Sequence, residues 1–212
     1  MKYRTIDMDA YPRKDHFAYF KGLAFPYVGL TVNVDITGLP QVMKAHGLPF
    51  FLTICCCVNR AANGVPEFRQ RIVHDRIIEF DRCRASYTVA LPDGTYCYCD
   101  LDCDLPLEDY IRYAAKAQEE AMQRHSIEET EEEALDKLFI STIPWVSFTA
   151  LTHPAAIPAD SNPRITWGKS FTQGDQVLLP VSVQCHHALV DGLHIARFYE
   201  LLDEEIRGIV RS

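Results

Sequence analysis

Apolar and polar positions recur along this chain with two different periods, and the switches between them mark its elements. Tyr27-Val28-Gly29-Leu30-Thr31-Val32-Asn33-Val34 is β-rich, and Asp35-Ile36-Thr37 leads into a short helix ending near Gly47. Pro49 suits the first turn of a second helix that runs to about Asn63-Gly64. Short β-like runs follow at 70–73, 77–80, 86–91 and 95–101, with Pro92-Asp93-Gly94 as a turn before the last, so a meander is expected. A long helix is predicted over 106–124, a β segment at 145–151, a Pro-rich loop at 153–163, and strands at 165–171 and 177–186 joined by Gln173-Gly174-Asp175. Near the C-terminus Ile195, Tyr199, Leu202, Ile206 and Ile209 fall at i, i+4, i+7, i+11 and i+14, one face of a helix. Strands in succession with helices between groups of them favour an α+β sandwich, a mixed, largely antiparallel sheet covered by helices, over a doubly wound fold. No repeat or linker interrupts the 212 residues, so one domain is expected.

Charge narrows the partners. Lys plus Arg is 21 against 29 for Asp plus Glu, and the net charge of -8 repels polyanions, which argues against nucleic acid. The longest apolar stretch, 48–58, is interrupted by Pro49 and is far shorter than the ~20 residues that cross a bilayer, so no membrane role is expected. Charges throughout the first 17 residues exclude a secretory signal and point to the cytoplasm. In that compartment the eight cysteines read as reduced core thiols. Cys97 and Cys99 share one strand face with Cys103 beyond, and no second C-x2-4-C pair answers them as zinc would require, so no metal is expected. The acidic run 128–133 reads as a solvated helix start.

Chemistry concentrates in the segment Val181-Ser182-Val183-Gln184-Cys185-His186-His187-Ala188-Leu189-Val190-Asp191-Gly192. Strand alternation puts Val181, Val183, Cys185 and His187 on one face and Ser182, Gln184 and His186 on the other. At the end of an apolar row His187 is expected to be desolvated and neutral, the form a general base needs, while His186 shares the polar face. A buried Asp191 would need a cation, and Arg13 is a candidate. Cys185 and His187, two residues apart on one face, leave open a thiol hydrolase with a histidine base.

The HHALVDG segment resembles the HHAxxDG signature of the chloramphenicol acetyltransferases. Tyr-Pro-Arg-Lys-Asp-His-Phe at 11–17 is similar to the family's aromatic-x-R-x-(E/D)-H-F, the run 140–148 to its I-S-x-x-P-W-V-x-F, and 165–169 to its I-T-x-x-K; the likeness spans nearly the whole chain. It implies acetyl transfer from acetyl-CoA to a hydroxyl of chloramphenicol, without an acyl-enzyme. On that resemblance His187 is the general base and Ser141 donates to the tetrahedral oxyanion. Thr166 holds a water nearby, Asp191 and Arg13 form a structural ion pair, and Phe20 is an aromatic wall of the acceptor pocket. Lys169 would contact a CoA phosphate or be a solvated charge. The family pattern further implies a homotrimer with active sites at subunit interfaces.

Two positions depart from that pattern. Phe139 stands where a polar Asn is usual, and His153 where an apolar pocket residue is usual. Both bear on the acceptor, so an O-acyltransferase acting on a different hydroxyl substrate is the alternative within the same fold.

Overall fold

The computed structural model describes residues 2–102, 104–124 and 126–211, so Cys103 lies outside the described residues. Among the described residues ten strands and six α-helices follow one another as β1 (Tyr3–Thr5), α1 (Lys14–Lys21), β2 (Tyr27–Asp35), α2 (Leu39–His46), α3 (Phe50–Asn63), β3 (Gln70–Val73), β4 (Arg76–Phe80), β5 (Arg84–Ala90), β6 (Tyr96–Leu101), α4 (Leu107–Arg124), α5 (Glu131–Ala134), β7 (Lys137–Ile143), β8 (Arg164–Gly168), β9 (Phe171–Gln173), β10 (Gln176–His186) and α6 (Gly192–Arg211). The large sheet is mixed, in the order β2-β10-β8-β7-β5-β6, with β9 paired beside β10; β7 lies parallel to both β8 and β5, and the other pairs are antiparallel. This is the α+β architecture the patterning predicts.

Helices cover one face of that sheet. Trp167 of β8 packs on Phe51 of α3 at 5.3 Å between ring centroids, which places Val181 and Val183, its neighbours in the β10 register, on the helix side. Ile195, Phe198, Leu202 and Ile206 of α6 are buried, while Tyr199 and Ile209 pack partly buried against the same core, so the foreseen apolar stripe faces inward. Tyr199 also donates its hydroxyl to Val181 O at 2.8 Å, tying α6 to β10. All seven described cysteines are buried thiols, with Cys97 and Cys99 facing in from β6 in alternation with the exposed Tyr96 and Tyr98. Among the described residues no group of His, Cys, Asp and Glu could hold a metal ion, and no helix is long and apolar enough to cross a membrane. The acidic run opens α5 with a capping box between Thr130 and Glu133.

Three expectations are corrected. The strands over 70–101 do not form one meander: β3 and β4 join β1 in a separate three-stranded sheet, while β5 and β6 enter the large one. The chain is redirected at 81–83, where Arg69 binds the carbonyls of Phe80 and Asp81 and Asn63 Oδ1 accepts from Cys83 N at 2.7 Å. The strand expected at 145–151 lies earlier, at β7, because the chain turns at Pro144 with Val146 N donating to Ile143 O, leaving Trp145 79% exposed despite its apolar neighbours. The strand over 165–171 is split at Gly168, whose missing side chain admits the Val146 carbonyl 2.8 Å from where a Cβ would stand, and Lys169 N donates to that oxygen.

Gly29 serves a similar purpose in β2, since an added Cβ would stand 2.6 Å from Val183 O of β10. Backbone cannot yield there as a side-chain tip can. Gly29→Ala is therefore expected to cost about 1–3 kcal/mol, read as a melting temperature lowered by several degrees.

Candidate active site

The first polar cluster forms where β10 runs out. The chain turns after His186, whose carbonyl accepts from both Leu189 N and Val190 N at 3.0 Å, and His187 N donates to Pro26 O at 2.7 Å. Within this turn His187 Nδ1 lies 2.9 Å from Val190 O. A carbonyl oxygen only accepts, so Nδ1 carries a proton, and the tautomer this selects for the neutral ring is the one with its lone pair on Nε2. Phe20, near the end of α1, stacks on the imidazole at 3.8 Å between centroids with the planes 26° apart.

Behind the turn, Asp191 caps the start of α6 by accepting from Leu193 N at 3.0 Å. Arg13, at the N-terminus of α1, meets it at 2.8 Å. Sequence reasoning missed the third partner, His194. Its Nδ1 accepts from Asp191 N at 3.0 Å and lies 2.9 Å from Arg13 Nη1, while Nε2 stands 3.6 Å from Glu67 Oε1. The available signal was its place three residues beyond Asp191 on the first helical turn. Burial raises the Asp191 carboxyl, but the neighbouring His194, the Arg13 guanidinium and the backbone N–H groups of Leu193 and His194 outweigh it and hold it below the usual carboxylate range. The carboxylate is not buried as expected: its side chain is 39% exposed, because it sits on the helix rim.

Two further readings change at this point. His187 is only partly buried, and it is His186 that is enclosed, at 2% exposure. The polar face of β10 is thus no solvent face, since Ser182 and Gln184 are buried with His186. Burial pulls the His186 imidazole down to about 4, with Asp160 opposing the shift and His187 adding to it. Cys185 faces the core with no exposure, and burial pushes its thiol far up, so it is no nucleophile.

The second cluster lies on the opposite side of the sheet from the helices. Ser141 of β7 and Thr166 of β8 are in register, and their hydroxyl oxygens are 2.6 Å apart. Thr166 Oγ1 lies 3.1 Å from His153 Nε2, and His153 N donates to Gln184 Oε1 at 3.2 Å. A cavity of about 350 Å³ opens beside them, lined by Ser141, His153, Phe139, Arg164, Tyr96 and Tyr98 among others. The two residues that depart from the family pattern therefore both line it. A larger cleft, about 460 Å³, lies elsewhere, lined by Asn59, Arg60, Arg82 and Glu205. Lys169 is exposed just beyond the end of β8.

The register separates the clusters. Thr166 pairs with Ser182, and His187 follows five residues later, about 17 Å along the strand at the rise of an antiparallel sheet. One chain brings together Arg13, Asp191, Phe20 and His187, and separately Ser141 and Thr166.

A sequence profile for chloramphenicol acetyltransferase matches residues 1–203. The chain belongs to the chloramphenicol acetyltransferase family. Chloramphenicol acetyltransferase 2 of Escherichia coli is 32% identical over 211 residues, covering 95% of this chain and 96% of that one. The Clostridium perfringens chloramphenicol acetyltransferase is 31% identical over 211 residues, covering 96% and 94%. A solved chloramphenicol acetyltransferase superposes with a TM-score of 0.82 over 97% of this chain and all of that one, at 23% identity, which shows the shared fold.

His186 should make this family member sensitive to mild acid. The unfolded chain takes up a proton near the ordinary histidine value, about 6.5, whereas the native imidazole does so only near 4. Stability is thus full above about pH 6.5 and falls as pH drops towards 4, by at most about 3 kcal/mol. Denaturant midpoints from pH 7 to 4.5 should fall less steeply in His186→Gln. Asp191→Asn should cost about 1–2 kcal/mol at pH 7, less than breaking a fully buried pair, because solvent screens the exposed carboxylate.

Proposed function

We propose that this chain transfers the acetyl group of acetyl-CoA to a hydroxyl of chloramphenicol, with His187 as general base and Ser141 as hydrogen-bond donor to the oxyanion. Family membership makes it an acetyl-CoA-dependent O-acetyltransferase. The observation that carries the assignment of roles is the hydrogen bond from His187 Nδ1 to Val190 O, because it selects the tautomer whose lone pair lies on Nε2, the one a general base uses. Nε2 takes the acceptor's hydroxyl proton as that oxygen attacks the thioester carbonyl. The tetrahedral oxyanion receives the Ser141 hydroxyl, an interaction strongest where the charge develops, with Thr166 as the support behind it. Collapse expels the CoA thiolate, which takes the proton back from the imidazolium, so acetyl ester and free thiol leave and no acyl-enzyme forms.

Base and donor must both lie within a few ångströms of one reacting carbon, and about 17 Å of strand divides them in one chain. The site is therefore assembled between copies, His187 from one subunit and Ser141 from its neighbour, in a cytoplasmic homotrimer of single acyltransferase domains. Two observations support such contacts: Leu30 and Val32 are exposed on the edge strand β2, and Tyr19, which packs on Phe20, and Leu193, on the first turn of α6, are exposed too. A different hydroxyl acceptor is the second reading, favoured by His153 and Arg164 in the cavity wall. Chloramphenicol should be turned over with any defect falling on its KM.

Mixing two inactive variants tests the reading. His187→Ala alone should abolish acetyl transfer, and Ser141→Ala should lower kcat by about 10²-fold. Co-refolded one to one, the pair should regain about a quarter of wild-type activity, since that share of interfaces in a random closed ring holds both intact groups. A mixture no more active than the better parent would show that base and donor act within one chain.

A further inference from the structure

The hydroxyl pair at Ser141 ends on a third group. His153 Nε2 stands 3.1 Å from Thr166 Oγ1, which stands 2.6 Å from Ser141 Oγ, and both ends of this row border the cavity. His153 is held at two points, since its backbone N–H donates to Gln184 Oε1 and its ring reaches Thr166 of β8. Each hydroxyl has a single proton, so the row runs one of two ways. Donation from Ser141 to Thr166 to Nε2 consumes the serine proton inside the row and turns a lone pair towards the cavity. Donation from Nε2 to Thr166 to Ser141 leaves the serine proton free.

We propose that His153 is a positioning residue that runs this row outward, with its Nε2–H donating to Thr166, Thr166 donating to Ser141, and the Ser141 proton directed into the cavity. The inference rests on the reading of Ser141 as oxyanion donor. A donor already aimed at developing charge is worth more than a hydroxyl that must first rotate, since its reorientation is removed from the barrier. Burial and the nearby Arg164 guanidinium lower the His153 pKa, so the ring is neutral near pH 7 and its tautomer fixes the direction of the row. An apolar side chain at 153 would leave Thr166 without its outer partner and the row free to run either way.

The test uses four variants of the full chain and one spectrum. His153→Leu should lower kcat about tenfold, with KM for acetyl-CoA unchanged and the melting temperature preserved. His153→Gln, whose amide can still donate to Thr166, should stay within about threefold of the wild-type kcat. Added to Ser141→Ala, His153→Leu should have no further effect on kcat, because the group it orients is gone. In 15N-histidine-labelled protein, the resonances lost in His153→Gln should report a ring protonated at Nε2. Equal losses in the Leu and Gln variants, the same loss with and without Ser141, or a ring protonated only at Nδ1 would each overturn the proposal while leaving the Ser141 assignment in place. A Ser141→Ala variant with wild-type kcat would instead remove that assignment and the catalytic use of the row with it.

Discussion

The His187 end of the molecule depends on one hydrogen bond, from the ring Nδ1 to the Val190 carbonyl, because that carbonyl can only accept and so fixes which nitrogen is bare in the neutral ring. The bond exists only while the 186–190 turn stays closed and α6 begins on schedule. Two backbone N–H groups on the His186 carbonyl close the turn, and the Asp191 cap starts the helix. Arg13 reaches Asp191 from the N-terminus of α1, the same short helix that lays Phe20 on the imidazole. The ion pair thus acts on His187 through backbone position. Losing it would loosen the turn and the stacking partner together, which is how a partly exposed salt bridge can matter more to geometry than to stability.

The strand that delivers His187 is buried on both faces, and the two faces are unlike. Val181, Val183 and Cys185 pack beneath the helices, whereas Ser182, Gln184 and His186 form a buried polar row on the other side. Such a row costs stability unless its members find partners. Gln184 accepts from His153 N, and His186 accepts from Ala188 N at 3.3 Å, yet among the described residues Gln184 Nε2 has no partner, and burial disfavours a charge on His186. The layer continues into Thr166 and Ser141 through the β10–β8–β7 register. Buried polarity on this face is therefore the floor on which the second cluster is built, tolerated because the opposite face supplies an apolar core.

Local patterning made the elements legible, since a helix stripe such as 195–209 or an alternation such as Cys97/Cys99 repeats over many residues. Connectivity was less so. Nothing local in 77–101 distinguishes a meander from strands shared between two sheets, because the decision lies with Arg69 and Asn63, which bind the 80–83 backbone from outside the strands. Trp145 and Val146 misled for a related reason: their apolar side chains are exposed on a turn, where no partner in a single chain covers them. Arg13, Asp191, Ser141 and Thr166 were legible through the family resemblance, and the structure pairs them by distance. The contact of His194 with Arg13 and that between His153 and Thr166 were not, because each joins segments whose approach only the fold decides.

Register also explains why association between copies belongs to the chemistry proposed for this chain. A sheet holds its residues at fixed spacings, so groups about 17 Å apart along one strand cannot be brought to one carbon by any loop rearrangement that leaves the sheet intact. What a single chain can do is refine each half separately. The turn end carries the fixed imidazole tautomer, its stacking aromatic and its ion-pair brace, while the sheet face carries the two hydroxyls, His153 and the cavity. On the proposed roles, changes on the sheet face bear on that part of the acceptor's surroundings and on the oxyanion donor, and leave the His187 turn in place. In this chain the departures at Phe139 and His153 both fall on the sheet face, and the His187 end keeps the residues of the family pattern unchanged. That distribution fits the proposed division of labour, in which the two departures fall beside the Ser141 hydroxyl and not beside the imidazole.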